Sequence, residues 1–101
     1  MDKTEAVIKA KKYLQIITSF LEVDKAMLFG SYQHGNQRED SDIDIALFVS
    51  HPGDDYFSIV KKLYRVRRDV DPRIEPHLFI SGMDKSGFSE EIEKTGEPLT
   101  N

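Results

Sequence analysis

The run Asp42-Ile43-Asp44-Ile45-Ala46-Leu47-Phe48-Val49 constrains this chain more than any other stretch. Its first half alternates strictly. Successive strand residues point to opposite faces, so Ile43 and Ile45 line one face of a strand while Asp42 and Asp44 line the other. The second half is apolar without interruption, as in a strand buried on both faces. Strands disfavour aspartate, so two aspartates on one strand face require a reason.

The flanking segments supply the rest of an architecture. Between Thr4 and Leu21 the residues Ala6, Ala10, Tyr13, Leu14, Ile17, Phe20 and Leu21 recur at helical spacing, which predicts an amphipathic helix. The short run Ala26-Met27-Leu28-Phe29, closed by Gly30, reads as a first strand, and the polar residues 32–41 as a loop or a single helical turn beginning at Ser31. After Pro52-Gly53, a second helix is marked by Tyr56, Ile59, Val60, Leu63, Val66 and Val70, and Asp71-Pro72 stops it. Ile74 to Ile80 forms a third strand, in which Pro76 lacks a ladder donor and asks for an edge position or a bulge. A short helix from Ser89 to Lys94 precedes Gly96, placed as a left-handed cap. The expectation is an α+β chain: a small mixed sheet with helices packed on one face, in one domain over residues 1–101.

Composition narrows the function classes. The chain has 101 residues, 39% hydrophobic and 32% charged, which suits one packed core. A net charge of -4 gives no general attraction to a polyanion, so nucleic acid is not the expected partner. There is no cysteine, hence no disulfide framework and no thiolate zinc site, and a cytoplasmic location is expected. No apolar run approaches the roughly 20 residues of a membrane-spanning helix, and the start Met1-Asp2-Lys3-Thr4-Glu5 lacks the order of a secretory signal. His34, His51 and His77 share no helical spacing for a metal, although His77 falls on the strand face of Glu75. Arg67 lies inside the apolar stripe of the second helix, where it either snorkels or pairs with a carboxylate.

Two features converge between Phe29 and Ile45. Gly30 at a strand end lets the backbone approach a ligand closely, and Ser31 can cap a turn whose free amides accept a phosphate. Asp42 and Asp44 offer two hard oxygen ligands side by side, the kind of pair that holds magnesium together with substrate phosphates. Such a site catalyses by positioning and charge neutralisation while a hydroxyl attacks a phosphorus in line.

Phe29-Gly30-Ser31 followed by Asp42-Ile43-Asp44-Ile45 resembles the signature of the DNA-polymerase-beta-like nucleotidyltransferase superfamily, with the minimal nucleotidyltransferases the most similar subgroup. The likeness extends over essentially the whole chain, from the leading helix to Lys94-Thr95-Gly96. It implies that Gly30 and Ser31 bind the triphosphate of ATP, that Asp42 and Asp44 bind Mg2+, and that a third acidic residue on the next strand completes both the catalytic and the metal set. Glu75 is the candidate for that place, where the family usually has an aspartate. Family members often carry an arginine soon after Gly-Ser; this chain has Tyr32-Gln33-His34-Gly35, and Arg38 is the candidate phosphate ligand instead.

Members similar to this chain act as antitoxins of HEPN-domain toxins, in some cases by moving AMP from ATP to a toxin tyrosine. The resemblance therefore implies a magnesium-dependent protein adenylyltransferase with a HEPN-domain toxin as partner. Two other readings remain open. One is a binding module of the same fold that neutralises its partner by contact, and the other is a transferase acting on a small molecule or an RNA end. The sequence leaves open whether the chain forms a homo-oligomer.

Overall fold

The first helix, α1 (Lys3–Ile17), buries Ala6, Ala10, Tyr13, Leu14 and Ile17 along one stripe, and the Asp2 carboxylate caps it by accepting the Glu5 amide at 2.8 Å. The structure, a computed structural model, describes residues 2–30, 41–51, 53, 55–81 and 86–100. The apolar spacing persists to Leu21, yet the helix stops earlier. The Thr18 and Ser19 hydroxyls donate to the carbonyls of Gln15 and Ile16, and tight turns carry the chain to the buried Leu21.

Among the described residues, three strands follow from the apolar runs, β1 (Lys25–Phe29), β2 (Ile43–Val49) and β3 (Ile74–Ile80), and the two-residue β4 (Glu97–Pro98) joins them in the order β3-β2-β1-β4. β1 pairs antiparallel with β2 and with β4, while β2 and β3 are parallel. A parallel pair needs a crossover, and α2 (Tyr56–Val66) with the 3-10 turn Arg67–Asp69 supplies it. The sheet is therefore mixed, as the sequence leads one to expect.

Pro76 fits because β3 is the outer strand. Ile43 donates to the Arg73 carbonyl and Ser81 to the Val49 carbonyl, so residues 73, 75, 77, 79 and 81 turn their peptide groups toward β2. Pro76, in the alternate set, turns outward, and its missing N–H costs the ladder nothing.

The two faces of the sheet are covered unequally. α1 and α2 lie over Ala26, Leu28, Ile43, Ile45, Leu47, Val49 and Ile74, which form the main core. Tyr13 fastens the two helices together, its buried hydroxyl donating to the Leu63 carbonyl at 2.7 Å, and burial raises its pKa far above the ordinary phenol value. Among the described residues a third helix, α3 (Phe88–Thr95), departs from the one-face arrangement. Its Ile92 packs with Met27 and Ala46 on the opposite face, beside Phe29, Phe48 and Phe79.

Gly96 also differs from its expected role. It is extended (φ -75°, ψ 167°), and a Cβ there would meet the Ile92 carbonyl at 2.7 Å. Close approach of the chain leading into β4, and not a left-handed turn, makes this position suit glycine.

Candidate active site at the end of β1, β2 and β3

Gly30 follows β1 with φ +78°, and a Cβ placed on it would run into Asp44 Oδ2. Both its backbone angle and this contact favour the residue without a side chain. Phe29 is the register partner of Asp44, so the antiparallel pairing brings the end of β1 against that carboxylate. Asp42 stands exposed just ahead of β2, and Asp44, with its side chain 25% exposed, lies within the strand between the fully buried Ile43 and Ile45.

His77 of β3 reaches the same carboxylate, with Nε2 3.2 Å from Asp44 Oδ1. Its ring stands edge-on to Phe29 at 4.9 Å between centroids, and Phe29 in turn meets Phe88 at 5.8 Å. These aromatic contacts fix the histidine against the floor formed by β1 and α3.

Glu75 is the register partner of Asp44 across the parallel pair. Neighbouring strands lie about 4.8 Å apart, so the two residues stand one strand spacing from each other. Their side chains have different partners. Glu75 Oε1 takes Arg67 Nη1 at 3.0 Å, and Oε2 accepts the Tyr64 hydroxyl at 3.3 Å. Arg67 also donates to the Ile74 carbonyl at 3.0 Å, and its guanidinium lies over the Tyr64 ring. Of the two readings of Arg67, pairing with a carboxylate is the one observed. Burial first, and then the Glu75 charge, raises the Tyr64 pKa above that of an ordinary phenol.

Tyr64 is the member of this arrangement that sequence reasoning passed over. It lies outside the apolar stripe of α2 and three residues before Arg67, a spacing that places both on one side of the helix. A polar aromatic and an arginine at that spacing, on the helix preceding the Glu75 strand, was the available signal. Ser31 and Arg38 lie outside the described residues.

A groove of about 320 Å³ runs along the outer edge of β3, lined among others by Tyr56, Tyr64, His77, Phe79 and Phe88. It therefore touches the partner of Asp44 and the partner of Glu75. A second hollow, of about 370 Å³, lies at the other end of the strands near Asp24, Val49 and Ser81, away from these carboxylates.

Asp42 and Asp44 are hard oxygen donors suited to a magnesium ion, and the space beside Asp44 exists because Gly30 has no Cβ. Among the described residues no three His, Cys, Asp or Glu side chains form a group that could hold a metal. Glu75 is turned toward Arg67 and Tyr64. The donor chemistry thus fits an ion shared between the Asp42–Asp44 pair and a ligand of its own.

Residues 11–101 match the polymerase beta nucleotidyltransferase family. No curated protein matches the chain. Among solved structures, a putative nucleotidyltransferase from Sulfolobus solfataricus is 18% identical with a TM-score of 0.64, over 95% of this chain and 80% of that one. A toxin–antitoxin crystallised with AMP-PNP is 20% identical with a TM-score of 0.62, over 90% of this chain and 73% of its own. A mutant of the toxin–antitoxin MntA–HpeT is 23% identical with a TM-score of 0.57, over 94% and 73%. At these identities the structures share the fold, whereas the family match spans nearly the whole sequence. This chain belongs to the polymerase beta nucleotidyltransferase family.

Proposed function

We propose that the chain is a magnesium-dependent nucleotidyltransferase that moves AMP from ATP to a hydroxyl of a partner protein, and that the partner is a HEPN-domain toxin which it neutralises in the cytoplasm. The observation that carries the transferase reading is the contact of Gly30 with Asp44, which sets a side-chain-free strand end beside a carboxylate two residues from Asp42. The toxin–antitoxin complexes among the fold neighbours, one of them with AMP-PNP, support the choice of partner and nucleotide.

In this reading Asp42 and Asp44 would hold the ion, and Gly30, Ser31 and Arg38 would bind the triphosphate. The ion supplies charge neutralisation on the phosphates. The acceptor oxygen forms a bond to the α-phosphorus, the bond from that phosphorus to the bridging oxygen breaks, and pyrophosphate leaves with the electron pair. Glu75, the third carboxylate of the set, receives the acceptor proton, with Arg67 holding it in place.

Incubated with ATP, magnesium and its partner, the protein should add one or more AMP masses to that partner in intact-mass spectrometry. A partner that is blocked at equimolar protein yet unmodified would overturn the transfer and favour inhibition by contact. The engagement of both Glu75 oxygens by Arg67 and Tyr64 is the observation that keeps that second reading in play.

A further inference from the structure

The acceptor in such a transfer needs its hydroxyl within hydrogen-bond reach of a carboxylate and in line with the α-phosphorus. Tyr64 already meets the first condition. Its hydroxyl donates to Glu75 Oε2 at 3.3 Å, while Arg67 fixes the other oxygen of the same carboxylate at 3.0 Å. Glu75 stands opposite Asp44 in the β2–β3 register, one strand spacing away.

Access points the same way. Tyr64 is half-buried and lines the groove along β3 together with His77, which contacts Asp44. The groove thus runs from the phenol to His77, the side chain in contact with the carboxylate that would border the nucleotide. Tyr13 offers a contrast, because its hydroxyl is wholly buried and committed to the Leu63 carbonyl.

We infer that Tyr64 is a self-modification site, an internal acceptor that takes AMP from the bound nucleoside triphosphate when no partner hydroxyl occupies the groove. The inference rests on the nucleotidyl transfer proposed above. Tyr64 Oη forms a bond to the α-phosphorus, the bond from that phosphorus to the bridging oxygen breaks, pyrophosphate departs, and the phenolic proton passes to the Glu75 carboxylate. No oxidant or reductant enters. The product carries AMP as a phosphodiester in the groove, where it takes the place of a partner hydroxyl, so the modified chain would be a poorer transferase toward its partner.

The test uses the whole chain without a partner, incubated with magnesium and ATP and read by intact mass and by peptide mapping. One AMP mass on Tyr64 is expected. Tyr64→Phe, which removes only the hydroxyl, should lose that label while keeping its magnesium-dependent ATP affinity in calorimetry. Asp44→Asn should lose both the label and the transfer.

A wild-type chain that binds magnesium-ATP and modifies its partner but stays unlabelled would overturn the inference and leave the proposed function standing. So would a label that persists in Tyr64→Phe. A chain that binds no ATP would overturn both.

Discussion

Two carboxylate clusters sit at the β3 end of the sheet and show opposite designs. Asp71, 5% exposed, lies between Lys9 and Arg73, each reaching Oδ2 at 2.7 Å, and its Oδ1 accepts the Arg73 amide at 2.9 Å. Those bonds hold its carboxyl far below the usual carboxylate range. Here cations and donors outnumber the acid, and the cluster ties α1 to the start of β3. Around Asp44 and Glu75 the arrangement is different. Asp42 and Asp44 stand two residues apart, Glu75 is one strand spacing from Asp44, and among the described residues Arg67 bonds Glu75 while His77 faces Asp44. A carboxylate enclosed by cations serves the fold, whereas carboxylates set side by side on one strand face have the donor chemistry that suits a divalent ion.

The sharpest way to break this contrast is Glu75→Gln. If Glu75 receives the acceptor proton, single-turnover AMP transfer at saturating ATP should fall by roughly 100- to 10,000-fold, the range of a lost general base, with nucleotide affinity within a few-fold. A wild-type rate would reduce Glu75 to a strand-edge partner of Arg67.

Asp71→Asn should do the converse. It leaves Lys9 and Arg73 without their counter-charge, at a cost of about 2–3 kcal/mol, reduced from the value for a fully buried pair because both cations are about a third exposed. Urea unfolding reads the loss, and ATP binding should be unchanged. Weakened ATP binding in a folded variant would mean that the two clusters are not separate.

The smallest effect is on pH dependence. The folded-state pKa of Asp71 is depressed, so the native state binds fewer protons than the unfolded one over the window below about pH 4, and stability rises with pH there. The stabilisation is present above the unfolded pKa and drains away as pH falls toward the folded value. Asp71→Asn should therefore show a flatter urea midpoint between about pH 5 and pH 3 than wild type. An equal slope in both would assign the acid sensitivity to other carboxylates.

How far the sequence revealed this arrangement depended on the length of each signal. β2 was legible because eight residues first alternate and then stay apolar, and α1 because its stripe repeats over four turns. β4 was not: Glu97-Pro98 is too short for a period, and only the Leu99 amide on the Ala26 carbonyl and the Met27 and Leu28 pairing reveal it. The face of α3 was missed for a related reason, since a stripe gives the apolar side of a helix but not the side of the sheet it covers. Glu75 was nominated through resemblance, but its partners Tyr64 and Arg67 come from the preceding helix, 11 and 8 residues away, and no local pattern announces that meeting.

Calorimetry of ATP binding with and without magnesium reads whether Asp42 and Asp44 form a cation site for a nucleotide. The comparison is between wild type and the double variant Asp42→Asn, Asp44→Asn, with folding checked by the same urea transition. Magnesium-dependent binding is expected in the wild type and its loss in a folded variant, because neutral amides cannot balance the charge of the ion. Equal ATP affinity in the two proteins would contradict it.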